Sequence, residues 1–142
     1  MPTRTAHAQW NGDLKEGTGT IKLGSGTLEQ QYSFDSRFGD KGGTNPEELI
    51  GAAHAGCFTM ALTKMLTDAG HTPERIRTEA SVDLSKKDGG FAIGEITLKT
   101  TARIPDFDQS QFKQLAEKAK DNCPVSKALS GTNIKLEATL EQ

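Results

Sequence analysis

The sequence as a whole lacks a strong surplus of one charge: 17 basic residues stand against 19 acidic ones, for a net charge of −2. There is no run of Lys or Arg, so a nucleic-acid partner is a poor fit. Long hydrophobic runs are also missing. The longest uncharged stretch, Leu49 to Thr63, is fifteen residues and contains His54 and two glycines, whereas a membrane span needs roughly 20 apolar residues. The first ten residues, Met1 to Trp10, lack the basic-then-apolar pattern of a signal peptide. These absences predict a protein that is soluble and cytoplasmic, with no membrane partner. Cysteine is scarce, with only Cys57 and Cys123. In the reducing cytoplasm a lone pair of thiols is more often catalytic, sensing or inert than structural. The 142 residues fit a single domain, 1–142, with enough chain to build a core without metals or disulfides.

The missing motifs narrow the chemistry further. The glycines around Gly39 to Gly43 match neither phosphate-binding fingerprint. No Gly-x-Ser-x-Gly elbow occurs. His54, Cys57 and Cys123 form no paired metal-ligand unit and have no evident fourth ligand, so no metal is expected.

What is present alternates between strand and helix patterns. His7 to Trp10, Gly19 to Leu23 and Leu28 to Phe34 read as short strands separated by glycine turns. A loop rich in glycine and charge, Asp35 to Thr44, holds Arg37. Asn45, Pro46 and Glu48 then form a strong helix start: an N-cap, a proline at the first helical position and the acidic end of a capping box. This helix can run to Ala69, with Gly70 as its C-terminal cap. Ile50 to Leu62 is apolar or small on every face, as in a helix buried all round. Gly51, Ala52, Ala53, Ala55 and Gly56 would let another backbone come close.

Arg77 to Leu84 and Phe91 to Ile104 read as a strand hairpin turning at Asp88-Gly89-Gly90. A second helix opens at Asp108 or Ser110, with Phe112, Leu115, Ala116 and Ala119 at helical spacing. Cys123-Pro124 interrupts it and starts a short helical turn to about Leu129. Ile134 to Leu140 is a last alternating strand. The order predicts an α+β fold with a mostly antiparallel sheet. One sheet covers one side of the long helix, and a second copy of the chain is the simplest cover for the rest, which predicts a homodimer.

The two cysteines are the best candidates for chemistry. Cys57 also reads as a small core residue, since free cysteine is among the most buried residue types. Cys123 stands just before Pro124, near the start of a helical turn, where thiol pKa values fall. A purely local reading therefore makes Cys123 the nucleophile. Cys57 lies about three turns into its helix and needs a cation from elsewhere, Arg37 or His54. His54, three residues before Cys57, is within side-chain reach of it on a helix. It reads either as a partner of the thiolate or as a core histidine satisfied by a backbone carbonyl.

The stretch RFGDKGGTNPEELIGAAHAGCFTMAL, from Arg37 to Leu62, with NCPVSKAL, from Asn122 to Leu129, closely resembles the osmotically inducible protein C (OsmC) family. That family is the sister of the organic hydroperoxide resistance proteins. The Asn-Pro-Glu opening, the cysteine ten residues after Glu47 and the late Cys-Pro-Val are its most specific marks. The likeness extends over the strand order on both sides, so over essentially the whole chain. It implies a thiol peroxidase for organic hydroperoxides and hydrogen peroxide, built as an intertwined homodimer whose sheets enclose two central helices. By resemblance, Cys57 matches the peroxidatic cysteine, Cys123 the resolving one and Glu47 the glutamate of the Asn-Pro-Glu motif. Arg37 matches the arginine that the OsmC branch carries in the loop before the helix. The sister proteins place theirs on an early strand. His54, in Ala-Ala-His-Ala, also points to the OsmC branch.

The resemblance reverses the local choice of nucleophile. Its physical sense is that an apolar site raises a thiol pKa, that an Arg37 guanidinium beside Cys57 would reverse this, and that Glu47 would hold the arginine. Glu47 and Cys57 are ten residues apart on one helix, or roughly 15 Å, so Glu47 is expected to serve the Cys57 of the other subunit. No bound cofactor is implied. The expected reductant is an external dithiol, with a lipoylated protein as the family's choice. Two other classes stand beside this reading: a redox-sensing or ligand-binding dimer without turnover, and a structural osmotic-stress protein with inert thiols.

Overall fold

The computed structural model describes residues 2–141; Met1, which opens the polar N-terminal stretch, and Gln142 lie outside the described residues. The chain divides into two compact units, residues 1–49 and 50–142.

The first unit is a three-stranded antiparallel sheet of β1 (Ala6–Asn11), β2 (Thr18–Leu23) and β3 (Glu29–Tyr32). The register sets Trp10 opposite Gly19 and Gly19 opposite Tyr32. The two rings meet edge-on across the glycine, with centroids 5.3 Å apart. A Cβ on Gly19 would lie 2.5 Å from each ring, so only glycine lets this aromatic pair close over the middle strand. The third strand is shorter than expected. Ser33 ends it and caps a five-residue helix, α1 (Phe34–Phe38), through a reciprocal box with Ser36. Arg37 therefore sits on a helix rather than in the irregular loop expected over Asp35 to Thr44.

The long helix α2 (Pro46–Asp68) begins at the end of this unit. Asn45 accepts a hydrogen bond from the Glu48 N–H at 2.8 Å, as its N-cap position requires. The rest of α2 belongs to the second unit, with β4 (Arg75–Lys87), β5 (Gly90–Arg103), α3 (Gln109–Asn122), α4 (Pro124–Ala128) and β6 (Asn133–Glu141). β4 and β5 form an antiparallel hairpin whose turn residues Asp88 and Gly89 both have positive φ, the geometry that matches strand twist. β6 returns through α3 and α4 to lie parallel to β5, so the strands form two separate three-stranded sheets, of which the second is mixed.

The core of this unit joins Phe58, Leu62 and Leu66 of α2 to Leu98 and Ala102 of β5 and to Phe112, Ala116 and Ala119 of α3. Each large side chain buried there contributes about 1.5–3 kcal/mol relative to exposure. By length and composition alone α2 could cross a membrane. Its burial, however, is one-sided: Gly51, His54, Phe58, Leu62 and Leu66 form the buried stripe, while Ala52, Ala53, Gly56 and Met60 are exposed, Met60 by 77%. Within one chain the helix is thus buried on one face, and its small-residue face stays open.

Candidate active site

Cys57 and Cys123 are brought together. Cys57 is half-buried on α2, and Cys123 is fully buried at the N-cap of α4. Both are free thiols, and the Cys123 S–H donates to the Cys57 sulfur at 2.8 Å. Pro124 at the start of α4 has no N–H, which is tolerated in a first helical turn. The next residue, Val125, hydrogen-bonds Cys57 through its backbone and favours the thiolate. The start of α4 therefore serves Cys57, the thiol on the neighbouring helix, instead of the cysteine in its own sequence. The local reading that made Cys123 the nucleophile rested on this same helix start. Cys123 is buried and spends its hydrogen on its partner, whereas Cys57 keeps an exposed side.

The Val125 contact does not win alone. Burial, followed by the hydrogen bond from Cys123, raises the Cys57 thiol above its ordinary pKa. His54 does not supply the missing cation. It is fully buried, and burial lowers its pKa from the usual 6.5. Its Nε2 shares a 2.7 Å hydrogen bond with the Ser126 hydroxyl, while Nδ1 has no partner among the described residues. His54 is a core histidine, but its Nε2 is paired with a side chain on α4 in place of the expected backbone carbonyl.

Arg37 and Glu47 form the second group, at the start of α2. The guanidinium grips the carboxylate as a fork, Nε to Oε1 at 3.0 Å and Nη2 to Oε2 at 2.9 Å. Such bidentate pairing fixes direction as well as distance. Glu47 is buried and Arg37 remains more than a third exposed. The α1 helix that carries Arg37 is fastened to the α2 start: Ser36 donates to the Thr44 carbonyl at 2.8 Å, and Asn45 donates to the Ser36 carbonyl at 3.2 Å. Beside Arg37 a cavity of about 400 Å³ is lined by Trp10, Leu14, Tyr32, Phe34 and Phe38. The guanidinium carbon lies 5.3 Å over the Phe38 ring, leaving an apolar hollow with one cationic edge.

Sequence reasoning missed Ser126 and the Val125 N–H. The signal available was the turn Cys-Pro-Val-Ser itself, which places an N–H and a hydroxyl within the first turn after the cysteine. It also missed the hydroxyl chain under α2, in which Thr59 reaches Thr78 at 2.8 Å and Thr78 meets Thr100 at 3.0 Å.

An α+β scaffold that presses a half-buried thiol against a buried one defines a protein built around a cysteine pair. The chain belongs to the family described as OsmC-like protein, which matches residues 39–139. It is 51% identical over 139 residues to Peroxiredoxin OsmC of Escherichia coli, covering 97% of this chain and 94% of that one. It is 32% identical over 139 residues to the organic hydroperoxide resistance protein of Xanthomonas axonopodis pv. citri, covering 96% and 93%. Among solved structures, the organic hydroperoxide resistance protein OhrB of Bacillus subtilis superposes with a TM-score of 0.69 at 28% identity, covering 96% of this chain and 98% of that chain.

Proposed function

We propose that this chain is a thiol-dependent peroxidase that reduces organic hydroperoxides and hydrogen peroxide. The observation that carries the reading is the Cys57–Cys123 contact, in which a partly exposed thiol is backed by a second thiol within bonding approach. The names of the relatives from Escherichia coli and Xanthomonas axonopodis support the same activity.

In this mechanism the Cys57 thiolate attacks the terminal oxygen of the hydroperoxide. The O–O bond breaks, the departing alkoxide takes a proton and leaves as an alcohol, and Cys57 becomes a sulfenic acid. Cys123 then attacks that sulfur. An S–S bond forms and the sulfenic hydroxyl leaves as water with the Cys123 proton. An external dithiol restores both thiols by exchange and is itself oxidised to a disulfide; a lipoylated protein is the proposed donor. No bound cofactor takes part.

The thiolate needs a cation, because burial alone raises the Cys57 pKa. Arg37 fills that role, held in direction by Glu47. Glu47 and Cys57 are ten residues apart on α2, about 15 Å along a straight helix. Two antiparallel copies of α2, crossing over the open face of Ala52, Ala53 and Gly56, would set each helix start beside the partner's middle. The working unit is then a homodimer in the cytoplasm, with one domain per chain and each Arg37–Glu47 pair serving the partner's Cys57. The apolar hollow beside Arg37 suits the organic part of an alkyl or aryl hydroperoxide.

The test is steady-state turnover of cumene hydroperoxide against hydrogen peroxide, with dihydrolipoamide as reductant. Sustained turnover of both, faster with the organic substrate, is expected. One oxidation per chain followed by arrest would assign the protein to redox sensing instead.

A further inference from the structure

Beside the Val125 backbone bond to Cys57, two side-chain links join α2 to α4 among the described residues, and they form a matched pair. His54 lies three residues before Cys57 on α2, and Ser126 lies three residues after Cys123 on α4. His54 meets Ser126 at 2.7 Å and Cys57 meets Cys123 at 2.8 Å. The two links are thus one helical turn apart on antiparallel segments. Both members of the polar link are buried, His54 completely and Ser126 to within 5%. Nδ1 of His54 has no partner among the described residues, so the polar tether of the imidazole runs through Ser126. A buried polar pair of this kind is costly to break, since each partner would be left unsatisfied.

We propose that His54 and Ser126 are positioning residues for disulfide formation: their hydrogen bond fixes the height and rotation of α4 against α2 and so holds the Cys123 sulfur on the Cys57 sulfur. The proposal rests on the peroxidase reading above and adds to it the device that sets the resolution step. Oxidised Cys57 must be attacked by Cys123 in line with the bond to the leaving hydroxyl, and a disulfide is about 2.05 Å long. With the strut in place the sulfurs have only a short way to travel. Without it, α4 keeps only the Val125 backbone bond to Cys57 and its packing, and a misplacement of about 1 Å costs on the order of a hundredfold in a well-oriented reaction. The lowered pKa of His54 keeps the imidazole neutral, so the strut does not depend on charge.

The test compares full-length wild type with Ser126→Ala, His54→Gln and His54→Asn. A glutamine amide reaches the place of Nε2 and an asparagine amide only that of Nδ1. The two variants therefore share polarity and differ in reach. Two rates are read after mixing with cumene hydroperoxide: sulfenic acid formation by dimedone trapping, and disulfide formation by mass spectrometry. A third reading is the equilibrium of the disulfide with dithiothreitol, in which one disulfide is reduced as the other forms. Sulfenic acid formation, which loses at most the Val125 backbone bond to Cys57, should slow at least several-fold less than disulfide formation in Ser126→Ala and His54→Asn. Disulfide formation should slow by on the order of tenfold to a hundredfold in Ser126→Ala and His54→Asn, with the equilibrium moving toward the dithiol by about tenfold, and His54→Gln should restore both. If Ser126→Ala does not fold, the Gln and Asn pair decides alone. Equal resolution in those two variants, or resolution in Ser126→Ala within twofold of wild type, overturns the proposal. A wild type that oxidises Cys57 but never joins it to Cys123 overturns the underlying reading instead.

Discussion

Cys123 donates its thiol hydrogen to Cys57 across 2.8 Å while being the more deeply buried of the two. In the proposed mechanism this asymmetry divides the labour: the partly exposed sulfur meets substrate, and the hidden one waits for it to be oxidised. It also bears on the local reading that favoured Cys123. The helix start that follows Cys123 offers its first available N–H to Cys57, so the benefit of a helix N-terminus is delivered across space.

Arg37→Met should slow oxidation of Cys57 by orders of magnitude near neutral pH and raise its thiol pKa. Cys57 lies too far along α2 to use that helix's own dipole, which fades within the first turn, and burial opposes its ionisation. Thiol alkylation rates followed against pH in the assembled protein check this. An unchanged profile would remove Arg37 from the electrostatics of the site.

Glu47 should act across the subunit boundary. A mixture of Cys57→Ser chains and Glu47→Ala chains, with subunit exchange demonstrated, should regain one working site per heterodimer. Activity that stays at the level of the weaker parent would place the site within one chain.

Gly56→Leu should leave the single chain folded and break the dimer. A Cβ at Gly56 meets nothing within 4 Å in the chain itself, and replacing glycine favours the helix by about 0.8 kcal/mol. Sedimentation should show monomers with native circular dichroism and loss of turnover. A dimer that persists would move the interface off this face.

His54 should make stability sensitive to acid. Its folded pKa lies below the usual 6.5 because burial disfavours the imidazolium, so the unfolded chain takes up that proton first as pH drops. The stability tied to neutral His54 is present above the unfolded pKa and is lost as pH falls through the folded one. Urea midpoints measured from about pH 7.5 to about 5.5 should fall more in wild type than in His54→Gln. Parallel curves would show that the imidazole is not held neutral.

Much of this architecture is legible in the sequence because it rests on short-range chemistry. Asn45, Pro46 and Glu48 announce α2, and Asp88-Gly89 announces the β4–β5 turn with the positive φ values that turn needs. Thr78, Ala80, Val82 and Leu84 share one face of β4, as their spacing demands. What was not legible depends on distant partners. The parallel placement of β6 carries no mark in its own residues. α1 is hidden because Ser33 and Ser36 make a small capping box beside a glycine-rich stretch that reads as loop. His54 could be assigned only once Ser126, 72 residues away, was placed beside it. The apolar character of α2 on every face does not say which face the chain keeps for itself; the stripe from Gly51 to Leu66 is chosen by the sheet and α3 packed against it.

The central claim is that Cys57 is oxidised first and Cys123 resolves it. The most direct measurement is the intact mass of each variant after one equivalent of cumene hydroperoxide. Wild type should lose two hydrogens as the disulfide forms, Cys123→Ser should gain one oxygen and then climb to higher oxides with excess peroxide, and Cys57→Ser should remain unchanged. A Cys57→Ser protein that is oxidised as fast as wild type, or that still turns over, would contradict the account and restore Cys123 as the nucleophile.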